Sequence, residues 1–347
     1  MKHWARAVLP LLAIVSMFAL AACEGEQGPA GPAGTEGCTD ACHTDNFQMD
    51  GYITAVQTEF DLTLHNTGDT YVRRGSTNSP QCSRCHTTEG FQYYVANGTE
   101  TALEESSRIG CFGCHAPHSR ADFSLRQGSG FALDWGGVNF DKGTGNTCGT
   151  CHQAIFLSDP TIEDIATPIG SPYWGAHHGP QSNILVGSGL WVFTGGAEYA
   201  ASHAHDSGIT NGCVDCHMAA LPADGLAGGH SFAMLYRYHG GDHVNDAGCQ
   251  GSSCHDGQDM TDRVETAADD FKNDLDALAD DLHTLGWIAD DLEHVNPSGV
   301  PANVDARGAV VNYLVLLEDR SSGIHNPTYA SAVLAATVAY VQSQMPQ

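Results

Sequence analysis

Six cysteine pairs in this sequence are each followed directly by a histidine. Four have the spacing C-x2-C-H, and the pairs at the two ends of the row have three and four residues between the cysteines. The six motifs are Cys38-x3-Cys42-His43, Cys82-x2-Cys85-His86, Cys111-x2-Cys114-His115, Cys148-x2-Cys151-His152, Cys213-x2-Cys216-His217 and Cys249-x4-Cys254-His255. In the C-x-x-C-H motif of c-type haem, both thiols bond to the haem and the histidine binds its iron from one face. The motifs therefore predict six covalent haem c groups, each with the motif histidine as proximal ligand.

Two other uses of the cysteines are less consistent with this pattern. Structural zinc takes such pairs in fours and needs no histidine after each second cysteine. A disulfide within C-x2-C closes a small loop, and such bridges are typically redox-active rather than structural. If neither stretched motif attaches a haem, the predicted number falls from six to four.

The N-terminal region predicts export and a lipid anchor. Residues 1–22 combine a basic head with 16 uncharged, mostly apolar residues, which is typical of a signal peptide. They end in Leu-Ala-Ala before Cys23, which resembles a bacterial lipobox and implies lipidation of Cys23. This residue is also the thirteenth cysteine, outside the haem motifs. Residues 23–37 contain a collagen-like G-x-y run, which we interpret as a tether.

Composition limits the partners and the fold. Without residues 1–22 the chain has 12 basic and 41 acidic residues, a net charge of −29, which argues against nucleic acid as a partner. Residues 38–258 contain six motifs, many glycines and few long apolar runs, so haem must supply much of their interior. We expect a mainly α-helical fold organised around stacked haems, with extensive loops, little β-sheet and short helices at the motifs.

Residues 259–347 contain no cysteine and predict a haem-free helical region that packs on the haem domain of residues 38–258. Their first apolar stripe has helical spacing. It consists of Val264, Phe271, Leu275, Leu278, Leu282 and Leu285. A second apolar helix is expected at about 307–317, and Pro327 opens a third at its favoured first position.

A second axial ligand decides whether each haem iron is closed or open to substrate. Outside the motifs and residues 1–22, twelve histidines remain, which is twice the number that six bis-histidine haems require. They are His65, His118, His177, His178, His203, His205, His230, His239, His243, His283, His294 and His325. Each can instead be an ordinary surface histidine.

Several of these histidines lie in segments that resemble the multihaem c-type cytochromes, exported electron carriers of respiratory bacteria. The similar segments are Cys114-His115-Ala-Pro-His118, Trp174-Gly-Ala-His177-His178-Gly-Pro-Gln181, Ser202-His203, Gly228-Gly229-His230-Ser-Phe232 and Leu317-Glu-Asp319-Arg-Ser-Ser-Gly323-Ile-His325-Asn-Pro327. The resemblance implies distal ligands at His65, His118, His177, His203, His230 and His325. His178 and His205 remain alternatives to their neighbours, and His239 or His243 can replace a weaker candidate.

The resemblance also implies a function. We expect a hexahaem lipoprotein that transfers electrons in the cell envelope, at the outer membrane or outside the cell, in anaerobic respiration or extracellular electron transfer. Its expected partners are other redox proteins and extracellular metal or mineral acceptors. No catalytic motif is visible, so we do not expect an enzyme. The alternatives are a multihaem reductase of a small nitrogen or sulfur oxyanion, with one open haem, and a self-assembling subunit of an extracellular cytochrome filament.

Overall fold

Helices and loops make up most of the chain, and the longest helices are at the C-terminal end. The computed structural model describes residues 47–69, 71–72, 79–116, 123–156, 165, 169–201, 203–219, 227–250, 255, 257–258 and 260–346. The predicted lipidation site Cys23, three residues of the first motif (Cys38, Cys42 and His43), Cys254 and the candidate ligand His118 lie outside these residues.

The helices of the region before residue 258 are short. They are α1 (Phe47–Phe60), α2 (Leu64–Thr67), α3 (Pro80–His86), α4 (Thr88–Asn97), α5 (Cys111–Cys114), α6 (Asn146–Gly149), α7 (Gln181–Val186), α8 (Ala204–Ser207), α9 (Cys213–His217) and α10 (Ala247–Gln250). Five of them, α3, α5, α6, α9 and α10, contain cysteines of the motifs. This distribution matches the expectation of short helices at the motifs.

In the described residues, β-structure consists of three antiparallel two-stranded sheets and two isolated bridges, His115–Leu125 and Ile288–Val295. Strands β1 (Phe131–Ala132) and β2 (Asn139–Phe140) form the first, β3 (Ile155–Phe156) and β4 (Ala176–His177) the second, and β5 (Leu235–Tyr238) and β6 (Gly241–Val244) the third. In the second sheet His177 pairs with Ile155, which brings a candidate ligand beside the segment that follows the fourth motif. The predicted mainly helical fold with little sheet is confirmed.

Three long helices form the C-terminal region: α11 (Met260–Thr284), α12 (Val304–Asp319) and α13 (Pro327–Gln344). The predicted stripe of α11 is turned inward, and Phe271, Leu275, Leu278 and Leu282 are buried. Helix α12 begins at Val304, three residues before the predicted start, because the side chain of Asn303 accepts a hydrogen bond from the Ala306 amide and caps the helix there.

The main hydrophobic core is built on these three helices. It also includes buried residues from earlier in the chain, among them Trp135, Trp174, Ile184 and Leu190. The buried Asn312 of α12 crosslinks this core, since its side chain bonds both the amide and the carbonyl of Trp191 and also the hydroxyl of Thr337 in α13. The C-terminal helices therefore hold the earlier segments in place. In the part of the chain that the structure describes, no helix is long and apolar enough to cross a membrane.

Asn326 fixes the start of α13 to this same framework. It is fully buried, and its Oδ1 atom caps the helix by accepting from the Tyr329 amide at 3.1 Å. Its Nδ2 atom donates to the carbonyls of Leu185 (3.1 Å) and Ala201 (2.9 Å). The neighbouring residue is His325, so the position of this candidate ligand depends on these bonds.

Replacement of Asn326 tests that connection. Asn326→Ala removes a helix cap and leaves two carbonyls without their partner, which should lower the free energy of unfolding by about 2 to 4 kcal/mol. The exposed cap Asn303 is a matched control, because Asn303→Ala removes mainly the cap and should cost about 1 kcal/mol. Denaturant unfolding followed by far-ultraviolet circular dichroism measures both. Equal losses in the two variants would contradict the anchoring role of Asn326.

Candidate haem-binding sites

The second motif shows how local structure presents the two cysteines and the histidine of a motif. Pro80 occupies the first turn of α3, where its missing N–H costs no hydrogen bond, and Thr87 ends the helix directly after His86. Residues three and four apart share one helix face, so Cys82 presents its side chain on the same side as Cys85 and His86. The Thr87 hydroxyl then accepts from the Gly90 amide and starts α4. At position 90 any Cβ atom would collide with the Ser83 carbonyl. Gly90 has no Cβ atom, so α4 can approach α3 closely.

Four motif histidines each face one histidine from a distant part of the chain. The pairs and the distances between their ring centroids are His65–His152 at 6.0 Å, His86–His177 at 6.0 Å, His115–His230 at 6.2 Å and His217–His325 at 6.2 Å. Each of the four motifs with the regular C-x2-C-H spacing is represented once. The structure thus brings together four of the six predicted distal ligands with four proximal ones.

These distances fit an iron bound on both faces. Bonds from imidazole nitrogen to a metal are about 2 Å long, so two rings on opposite sides of one iron have centroids roughly 6 Å apart. In the described residues, no group of three or more His, Cys, Asp or Glu side chains converges as a metal site of another kind. The residues present therefore fit a haem between each pair.

Hydrogen bonds at Nδ1 orient five of the candidate ligands. The acceptors are the carbonyls of Phe123 for His115, Phe232 for His217 and Ile324 for His205, the side-chain oxygen of Gln181 for His152, and the carboxylate of Asp319 for His325. Because each acceptor is an oxygen without a proton to give, the proton lies on Nδ1 and Nε2 is left to bind a metal. Such bonds fix both the tautomer and the direction of a metal-binding imidazole.

The surroundings of most of these rings favour the neutral form, which is the form that binds a metal. Desolvation and the neighbouring His152 lower the pKa of His65 to about 4. Burial also lowers the pKa of His217 and His230. At His325, burial alone would lower the pKa, but the carboxylate of Asp319 outweighs it and raises the pKa.

The two pairs of neighbouring candidates differ in their contacts. The ring of His178 is 70% exposed and bonds Glu318 at 2.6 Å, whereas His177 faces His86. His203 caps α8 by accepting from the His205 amide through Nδ1. His205 bonds the Ile324 carbonyl and is near enough to the sixth-motif histidine, His255, for that charge to lower its pKa, although burial is the larger cause.

Contacts between cysteines relate the motifs to one another. The thiol of Cys151 donates to the carbonyl of Arg84, the neighbour of Cys85, at 3.6 Å. Cys85 and Cys151 each shift the pKa of the other thiol, and so do Cys148 and Cys213. Cys249 is close enough to Cys216 for its charge to act on that thiol. The cysteines of the second, fourth, fifth and sixth motifs are therefore neighbours in that order, which we call the row of motifs. Cys114 of the third motif acts electrostatically on both Cys148 and Cys151, so it lies beside the fourth.

Phe232 connects three candidate sites and was not predicted as a functional residue. Its ring centroid lies 5.7 Å from that of His65 and 5.9 Å from that of His230, and its carbonyl accepts from Nδ1 of His217 at 2.9 Å. Its φ of 56° is in the left-handed region, which non-glycine residues seldom adopt. In the sequence it was visible only as part of the segment Gly228-Gly229-His230-Ser-Phe232.

Apolar surface is distributed as the haem sites require. The large apolar side chains that are exposed in the described residues all lie before residue 239, among the motifs, and none lies in α11 to α13. They are Ile53, Leu62, Leu64, Val72, Tyr93, Phe112, Phe123, Val138, Tyr173, Leu235 and Tyr238. A porphyrin would cover apolar surface of this kind.

Two cytochromes were found by comparison with solved structures. The outer cell wall cytochrome OcwA aligns with this chain with a TM-score of 0.52 and 20% sequence identity. The alignment covers 83% of this chain and 50% of the OcwA chain. An undecahaem cytochrome from the S-layer of Carboxydothermus ferrireducens aligns over 84% of this chain and 40% of that chain, with a TM-score of 0.45 and 19% identity.

This chain spans about half the length of OcwA. No protein-family model matches the sequence, and no curated protein is similar to it. The likeness to OcwA concerns the fold. The short helices at the cysteine motifs, the long loops and the sparse sheet of this chain form a multihaem cytochrome fold.

Proposed function

We propose that this protein is an exported, lipid-anchored hexahaem cytochrome that carries electrons in the cell envelope and does not transform a substrate. The observation that carries the proposal is the set of four histidine pairs whose ring centroids are 6.0 to 6.2 Å apart. Iron held by a histidine on each face has no open position for a substrate. Such a site is suited to electron transfer.

The chain's own residues have separate tasks in this function. The motif cysteines attach the haems, and the paired histidines close both faces of the iron. The hydrogen bonds at Nδ1 hold the rings in one orientation, so that the ligands need not reorganise when the charge of the site changes. When bound, each haem supplies an iron that is oxidised and reduced by one electron.

The row of motifs supports transfer along the molecule. Cys151 bonds the Arg84 carbonyl beside Cys85, and Cys148 and Cys213 shift each other's pKa, so motifs that are far apart in the sequence are neighbours. Cys216 and Cys249 extend the row to the sixth motif. We propose that electrons pass along the order second, fourth, fifth and sixth motif, with the third motif as a branch at the fourth.

Ligands for the remaining two haems follow from contacts and from the sequence. We propose His205 as the distal ligand of the His255 haem, because its Nδ1 donates to the Ile324 carbonyl, which leaves Nε2 for the iron, and because the charge of His255 acts on its ring. His203, the initial candidate, uses its own Nδ1 to cap α8. For the His43 haem we propose His118, because the resemblance implies that the last histidine of the C-H-x-P-H segment ligates a neighbouring haem and the other predicted distal ligands have roles elsewhere.

Location and partners are further parts of the proposal. Lipidation of Cys23 would attach the protein to the outer membrane. A solved structure of similar fold is described as an outer cell wall cytochrome, which supports a position at the cell surface. The net charge of −29 without residues 1–22 favours basic redox proteins or metal cations and mineral surfaces as partners.

Haem content and closure of the irons test the proposed function. Protein produced with the c-type haem maturation system should contain six haems per chain by pyridine haemochrome analysis, or four if the stretched motifs fail. The reduced protein should show no Soret shift with carbon monoxide, because every iron is closed. It should be reoxidised by soluble ferric complexes and should not turn over nitrite or sulfite.

Two results would contradict the proposal. Purified protein with bound zinc and no haem would remove its basis. A carbon monoxide response from about one haem of the six, together with turnover of nitrite or sulfite, would favour the reductase. Filaments seen by electron microscopy in the shed material would add self-assembly to the electron-transfer function.

The choice between His177 and His178 has its own test. Replacing His177 by Ala should open the haem of the second motif, so that carbon monoxide shifts about one-sixth of the Soret absorbance. The matched variant His178→Ala should behave like the wild type, because His178 points to solvent and Glu318. A carbon monoxide response in His178→Ala with none in His177→Ala would show that the assignment is wrong.

A further inference from the structure

Asp319 is a buried carboxylate at the end of α12 whose partner is a candidate iron ligand. Its side chain is only 2% exposed, and Oδ1 accepts a hydrogen bond from Nδ1 of His325 at 2.7 Å. The hydroxyl of Ser321 donates to Oδ2 of the same carboxylate. A charged group is seldom buried so completely without a specific role, because its removal from water is costly.

The turn between α12 and α13 holds this pair together. Arg320 and Ser322 have φ angles of 56° and 49°, and Gly323 has a φ of 82°, so the chain reverses sharply after Asp319. The Ser321 hydroxyl also accepts from the His325 amide at 3.2 Å. Asn326, bound on the far side by Leu185 and Ala201, fixes the other end of the turn. The contact between carboxylate and imidazole is therefore built into the backbone.

The acceptor at His325 differs in charge from those at the other oriented histidines. His115, His205 and His217 donate to backbone carbonyls, and His152 donates to the amide oxygen of Gln181. Of these five histidines, His325 alone donates to a carboxylate. The fifth motif thus has a distal ligand with a distinct electronic environment.

A carboxylate acceptor changes what an imidazole does to an iron. It draws the Nδ1 proton toward itself, so the ring becomes more basic and gives more electron density to the metal at Nε2. Its negative charge, in a site removed from water, also favours the more positive ferric state. Both effects stabilise the oxidised iron, and hydrogen bonding near the iron is one means by which proteins set its potential.

We infer that Asp319 is a positioning residue that lowers the reduction potential of the haem held by Cys213, Cys216, His217 and His325. The inference rests on the proposed function, since it requires a haem at this motif. In the row of motifs the fifth lies between the fourth and the sixth. The haem of low potential is therefore an interior one, with a neighbour on each side. An electron that reaches it is released readily to either neighbour.

Asp319→Asn tests the inference with little change in shape. The Asn side chain has the same size and keeps an oxygen that can accept from His325, but it removes the charge. In a spectroelectrochemical titration, one component, about one-sixth of the absorbance change, should move to higher potential. We expect at least a tenfold change in the equilibrium constant of reduction, which is about 59 mV for one electron. The electron paramagnetic resonance signal of one low-spin haem should change with it.

Glu318→Gln is the matched control. It removes one negative charge from the adjacent residue, whose hydrogen-bonded partner is the exposed His178 rather than His325. In that variant, the haem whose potential changes in Asp319→Asn should keep its wild-type potential. Equal shifts of the same component in both variants, or no shift in Asp319→Asn, would overturn the inference.

Ser321→Ala provides a second readout with the opposite sign. In this variant the carboxylate loses the hydrogen bond that it accepts from the Ser321 hydroxyl. It should therefore accept more strongly from His325, and the same component should move to lower potential. If Asp319→Asn does not fold, this variant decides, and an unchanged or higher potential would count against the inference. Haem content is measured in every variant. Six haems with no shift would refute the inference alone, whereas protein without haem would refute the proposed function.

Discussion

Each of the four histidine pairs joins parts of the chain that are 87 to 115 residues apart in the sequence. The pairs His65–His152, His86–His177, His115–His230 and His217–His325 overlap along the chain, so the stretch that each pair encloses extends into the next. An iron between two rings requires a narrow range of separations, which the structure meets at all four regular motifs. The path of the long loops between the short helices brings the four pairs to this separation.

The main hydrophobic core lies in a different part of the chain from most of the paired histidines. The main core is formed by α11, α12 and α13 with a few earlier residues such as Trp135 and Trp174, and it resembles the core of an ordinary helical protein. Among its described residues, the motif region adds a small separate cluster of Leu133, Phe140 and Leu185. The two regions meet where buried asparagines of the helical region bond the loops: Asn312 binds Trp191, and Asn326 binds Leu185 and Ala201. The helices thereby serve as a rigid support that carries His325 and Asp319 to the fifth motif.

Local features of this architecture could be read from the sequence. The motif helices follow from residues three and four apart, and the apolar stripe of α11 and the Asn326-Pro327 start of α13 are local signals. The partner of each proximal histidine is not local. His177 and His178 are equivalent by composition, and only β4 and the bond from His178 to Glu318 distinguish them. The same holds for His203 and His205, whose roles depend on a helix cap and on the Ile324 carbonyl.

Other roles could not be inferred because they arise from backbone conformation. Phe232 has a left-handed backbone conformation that directs its carbonyl to His217. A phenylalanine in the sequence does not predict such a contact. Asp319 lies in a segment that resembles the cytochrome family, yet only the turn after α12 shows that its carboxylate binds His325. Sequence spacing identifies which residues can hold the haem, whereas the long-range contacts show which side chains orient the histidines.

The central claim is that the paired histidines are the two axial ligands of their irons. Near-infrared magnetic circular dichroism of the oxidised protein measures this most directly, because the energy of its charge-transfer band depends on the pair of axial ligands. The account predicts the bis-histidine band for at least four haems per chain. High-spin or histidine–methionine bands from three or more of the six haems would contradict it.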